Sequence, residues 1–224
     1  MARPPRFDTE QLLDAAVRLA ASGGPASVTM SAVAQAVGAP SGSVYHRFSG
    51  RPALLAEVWL RTVERFQESY TAVLRSHDDP PLAARAASRH VIAWSRHHPE
   101  EAALLLYGAA DFDRAHWSPE HTARADAGNR RTFTAVHDLG EALGANGEQA
   151  RERITLALID LPLSIVRRHL RAGAELPPHA EDLAEQCTAA LLPPGTAPAT
   201  PATGKPPARD SGPEEQHRGD RDPV

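Results

Sequence analysis

The chain has 224 residues and a formal net charge of −4, from 24 Lys and Arg against 28 Asp and Glu, so any polyanionic partner must be met by local charge and not by the protein's total. The lone cysteine, Cys187, excludes an intrachain disulfide and a cysteine-rich zinc site, and it suits a reducing compartment. No run approaches the roughly 20 apolar residues of a membrane span, and the start of the chain lacks the apolar core of a signal peptide, so the expected location is the cytoplasm, without a membrane partner.

In chain order, Arg3 and Arg6 lie among prolines in residues 1–7. That composition reads either as a plain terminus or as an extended arm for a minor groove. Asp8 and Gln11 fit a capping pair, and Leu12, Ala16, Leu19 and Ala20 give a first helix its apolar stripe, ending at Gly23 and Gly24. Thr29 is an N-cap for a second helix, with Val33, Ala34 and Val37 on its inner face and Gly38 as its stop. Pro40 fits the first position of a third helix, expected from Pro40 to Phe48. Val44 and Phe48 face inward there, leaving Ser41, Gly42, Ser43, Tyr45, His46 and Arg47 outward. The pair is a helix-turn-helix. Its outer face is small at the start, where base edges would be met, and rich in donors at the end, where phosphates would be met.

These residues resemble the DNA-binding domain of the TetR family of transcriptional regulators. The matching positions are Thr29, Val33 with Ala34, Gly38, Gly42 with Ser43, Tyr45, Phe48, Arg51 and Leu54. Pro40 stands where the family usually has Ser or Thr, and Arg51 where it usually has Lys. The resemblance implies an all-α protein with an N-terminal three-helix DNA-binding domain over residues 1–51. A larger helical ligand-binding and dimerisation domain over 52–192 would follow. It also implies DNA contacts from Thr29, Ser41, Gly42, Ser43, Tyr45, His46, Arg47, Arg51 and Arg6, with Arg51 on a phosphate.

Beyond the reading module, Leu55, Trp59, Thr62, Phe66, Tyr70 and Val73 step along one side of a single long helix from Pro52 to about Arg75. It would link the two domains. After a break at His77–Pro81, a helix is expected from Leu82 to His97, and Pro99 opens a short apolar one that runs to Gly108. The stretch from Ala109 to Pro119 has no clear period. Ser118 and Pro119 cap a further helix towards Leu143. From Glu148 to Arg171 apolar residues point in several directions, so that helix should be buried on more than one side, with Pro162 kinking it by removing the bond to Leu158. The second partner is either the rest of the monomer or another copy of the chain. In the resembling family the last two long helices form a four-helix dimer interface, which here implicates Ile154, Leu158, Leu161, Ile165, Leu183, Cys187 and Leu191. Residues 193–224 are Pro- and Ala-rich without periodicity and are expected to stay disordered.

Catalysis is not expected. Di-metal oxidases on helical bundles need inward Glu-x-x-His pairs, which the helical segments lack. His90 and His97 are about 10 Å apart along a helix axis, too far to share one ion. No nucleophile has a base beside it, and no metal or cofactor is expected. The whole reads as a homodimeric, ligand-responsive repressor on an inverted-repeat double-stranded DNA operator. The ligand, small and apolar or amphipathic, is implied by the resemblance alone. His90, Trp94, Tyr107, Phe112, Trp117, Phe133 and His137 either line its cavity or belong to ordinary core. A helical small-molecule-binding or sequestering protein with a vestigial DNA module is the alternative.

Overall fold

The computed structural model of the chain describes residues 8–192. Arg3, Arg6 and the tail 193–224 lie outside that range. Among the described residues every regular element is helical.

Asp8 accepts the N–H of Gln11 at 2.8 Å while the Gln11 side chain accepts the N–H of Asp8, and this reciprocal cap opens α1, Thr9–Gly23. Thr29 accepts the N–H of Ala32 at 3.0 Å and opens α2, Met30–Ala36. That helix closes with Gly38 at φ +67°, a left-handed conformation glycine takes without strain, and with the N–H of Ala39 on the carbonyl of Ala34 at 2.9 Å. α3 is shorter than the expected Pro40–Phe48: it spans Ser41–Tyr45, with Pro40 as the extended residue ahead of it and not its first helical residue. Pro40 therefore fixes the entry of the chain. Phe48 still reaches the core through a final bond from its N–H to Val44.

α4 runs Arg51–Leu74 and belongs to two cores at once. Its first half, Leu54 to Val63, packs with α1–α3 and with Leu104, Phe112 and Trp117, so packing is continuous across residue 51. Its second half carries Tyr70 and Leu74 into a separate cluster. The helix after the break starts earlier than Leu82, because Asp79 caps it and Pro80 and Pro81 fill its first positions, where a missing N–H costs nothing. This is α5, Pro80–His97. α6 is Pro99–Leu104, and the unassigned stretch folds as turns and a 3₁₀ segment, Arg114–His116, that buries Phe112. Ser118 caps α7, Pro119–Ala142.

The segment from Glu148 to Arg171 is helical throughout, with a π-helical turn just ahead of Pro162. α8, Glu148–Thr155, passes through a π-helical turn, Leu156–Asp160, into α9, Leu161–Arg171. The turn widens the backbone just before Pro162, which has no N–H for Leu158. Two side chains from other helices take the carbonyls involved. The buried hydroxyl of Tyr70 donates to Leu158 at 2.9 Å, and Thr188 donates to Ala157 at 3.2 Å. Burial raises the pKa of Tyr70, so its phenol stays protonated and able to donate. Thr188 lies on α10, Ala180–Leu191, which packs chiefly on α5.

Three of the seven expected seam residues, Ile154, Leu158 and Ile165, are buried inside the protomer and are not available to a second copy. Leu161, Cys187 and Leu191 are half-buried and Leu183 is exposed. Helical periodicity shows that a side is covered without showing by what, hence the misplacement.

Tyr70→Phe removes the donor from a buried carbonyl and should lower the unfolding free energy by about 1–3 kcal/mol. The measurement is a urea titration, with the midpoint falling at unchanged slope. An unmoved midpoint would mean that Leu158 is satisfied in some other way.

Candidate nucleic-acid interface

α3 sits on the module by Val44 and Phe48, both buried, which turns its other side outward. Ser41, Gly42 and His46 are exposed, Ser43 and Arg47 half-buried, and Tyr45 is 59% exposed. Nothing stands within 4 Å of where a Cβ on Gly42 would lie, so no neighbour crowds the start of this helix. Arg47 folds back, its Nη1 donating to the carbonyl of Ser43 at 3.1 Å. Thr29, at the start of α2, is exposed while its oxygen accepts from Ala32.

Arg51 stands apart from this outward row. Its Nε donates to Val28 and its Nη2 to Pro25, both backbone carbonyls and both at 2.9 Å. Further along α4, Arg61 holds Glu10 at 2.8 Å and Asp14 at 2.7 Å, fastening α4 to α1. Periodicity gave no sign of either clasp, since both join residues far apart in sequence. The outward face thus combines small residues at the start of α3, a ring at its end with an imidazole just beyond, and the threonine that caps α2. Such a face fits a major groove with phosphates along its rim.

Residues 12–58 match the sequence pattern of the bacterial regulatory proteins of the tetR family. Over that span the chain carries a TetR-type DNA-binding domain. No curated protein matches in sequence, but solved structures of TetR-type regulators superpose over most of both chains. A transcriptional regulator from Rhodococcus sp. Rha1 is 25% identical, with a TM-score of 0.62 over 83% of this chain and 96% of that one. The transcriptional regulator FadR from Bacillus subtilis, solved in complex with stearoyl-CoA, is 13% identical with a TM-score of 0.64, covering 83% and 98%. The ketosteroid regulator KstR2 of Mycobacterium tuberculosis is 18% identical with a TM-score of 0.64, covering 84% and 95%. The chain is a DNA-binding regulator whose described residues form an all-α fold, and no helix among them is long and apolar enough to cross a membrane.

The regulator does not gather its seven pocket candidates into one cavity. Phe112 and Trp117 are buried in the core of the reading module, where the Trp117 indole donates to the Phe112 carbonyl at 2.8 Å. Tyr107 lies beside them, its ring 6.4 Å from that of Phe112. His90 and Trp94, on α5, meet the aromatic residues of α4: the Trp94 ring stands edge-on to Phe66 at 5.1 Å. Nε2 of His90 lies 2.9 Å from the Ser69 hydroxyl, and burial lowers its pKa, which favours the neutral ring at neutral pH. Phe133 and His137 are exposed on α7, at a cleft of about 210 Å³. Val136, Gly140 and Ile154 contribute its apolar walls, with Arg151 and Glu141 as charged groups beside them. No group of three or more His, Cys, Asp or Glu side chains among the described residues is placed to hold a metal ion.

Proposed function

We propose that the regulator is a homodimeric repressor that reads an inverted-repeat operator through α3 and leaves it when a small amphipathic ligand enters the body. The observation that carries this reading is α4: one continuous helix whose first half is packed into the reading module and whose second half is packed into the body. A change in the body that tilts α4 changes the spacing of two reading helices in a dimer. A ligand acts this way only if it binds one of the two forms better.

The cleft at Phe133 and His137 is the proposed entry for the ligand, with an apolar floor and a charged edge suited to an amphipathic molecule. Its 210 Å³ is below the roughly 300 Å³ at which ordinary ligand pockets begin, so the bound form would have to open it. α7, which forms one wall, is tied to α4 by Arg124, which reaches Glu57 at 2.7 Å and Glu64 at 2.9 Å. A fold of this kind holds stearoyl-CoA in the Bacillus subtilis regulator, which supports an amphipathic ligand class.

For the second copy, the proposed seam is Leu156, which is 44% exposed, together with Leu163, Leu183, Cys187 and Leu191, whose remaining exposure supports that place. Leu156→Glu should convert a dimer into monomers in sedimentation at micromolar concentration, because a charge would be desolvated without a partner. Ile165→Glu should instead unfold the protomer. A wild type that sediments as a monomer would remove the dimer.

Selection from a random DNA pool tests the reading. An inverted repeat should emerge, and Ser43→Ala should cost roughly 1 kcal/mol or more on the selected duplex with little loss on random sequence. A uniform loss on both duplexes would move Ser43 from reading to positioning.

Ligand control has its own test, using ligand recovered with the native protein and identified by mass spectrometry. Addition of operator should weaken ligand binding by the same factor by which ligand weakens operator binding. Ligand binding that leaves operator affinity unchanged would exclude release.

A further inference from the structure

We infer that Arg51 is a positioning residue that buckles the start of α4 to the start of α2, and is not the phosphate contact that its place in the module implies. Its Nε and Nη2 form one edge of the guanidinium, and both donors on that edge are used, on Val28 and Pro25 at 2.9 Å each. The acceptors belong to the 3₁₀ turn Pro25–Ser27 and to the residue just ahead of the Thr29 cap. A planar fork spans two carbonyls at once, whereas a single ammonium has no second arm at fixed spacing. The first residue of α4 is thereby held to the residues that fix where α2 begins.

From there the tie continues to the reading helix. α2 passes to α3 through the closed turn at Gly38 and Ala39, whose backbone bonds leave little play. The extended Pro40 follows, with φ set by its ring. A displacement of α4 at Arg51 is therefore carried into α2 and α3 together. The residue sets where the reading face stands relative to α4, and the side chain's charge is incidental to that role.

The experiment compares wild type with Arg51→Lys and Arg51→Gln, full length. Amide exchange of residues 26–34 is followed without DNA. Binding to a wild-type-selected duplex and to a random-sequence duplex is then followed against salt. Both variants should exchange faster at Val28–Val33, and both should lose about tenfold in affinity for the selected duplex. Neither should change the dependence of log affinity on log salt, since no phosphate contact is lost. Arg51→Lys binding as tightly as wild type, or a slope in Arg51→Gln reduced by about one counterion per subunit, would overturn the proposal. Unchanged exchange in both variants would overturn it as well. A wild type that binds neither duplex would count against the DNA-reading function, while the exchange measurement would still decide whether the buckle exists.

Discussion

The structure depends on one helix being shared between two hydrophobic cores. α4 buries Leu54, Leu55, Val58 and Leu60 among the three short helices of the module, and Tyr70 and Leu74 in the body. Neither set can be released without exposing several large side chains, each worth about 1.5–3 kcal/mol when fully buried. The helix therefore moves as a unit or not at all. What is free to vary is the direction in which it points and the bonds that hold its two ends.

Those ends are fixed by hydrogen bonds of different character. At the N-terminal end a charged fork reaches two backbone carbonyls across more than 20 residues of sequence. In the second half a phenol reaches a carbonyl in the π-helical turn between α8 and α9. That turn is where Pro162 denies the backbone one of its own donors, so the hydroxyl of Tyr70 completes a helix to which it does not belong. The same turn carries Leu156 to the surface and Leu158 to the core. The position of α4 and the face proposed for a second copy are in this way linked through one short stretch of backbone.

Much of this was legible in the sequence, and what was not shares a physical cause. The caps at Asp8, Thr29 and Ser118 were readable because a cap is a local bond between residues three apart. The inward pair Val44 and Phe48 was readable from period alone. The end of α3 was not, because a five-residue helix depends on the chain that flanks it. Ile154, Leu158 and Ile165 were placed on a seam because a stripe reports burial but not the identity of the neighbour. Aromatic residues suggested a single cavity for a similar reason: Trp117 and Phe133 look equally available in a sequence, yet one is buried in the module core and the other is 63% exposed on α7. The roles of Arg51, Arg61 and Tyr70 arise from contacts distant along the chain, which no window of sequence contains.

On the sides that its packing leaves open, α4 is also held by charge. Arg61 reaches Glu10 and Asp14 on α1, Arg65 reaches Glu101 on α6, and Glu57 and Glu64 receive Arg124 from α7. Most of these partners keep contact with water, and pairs of that kind contribute about 0–1 kcal/mol each. They do not demand the close fit of a packed core, and long side chains follow a small displacement by changing rotamers. The coupling between two sites in a regulated protein is typically about 1–3 kcal/mol. A helix gripped laterally by packing alone would cost more than that to tilt, as its interdigitated side chains would have to separate. On the proposed function, the ionic flanks of α4 add little to the cost of its movement, while the two cores make it move as a unit, rigid enough to arrive at α3.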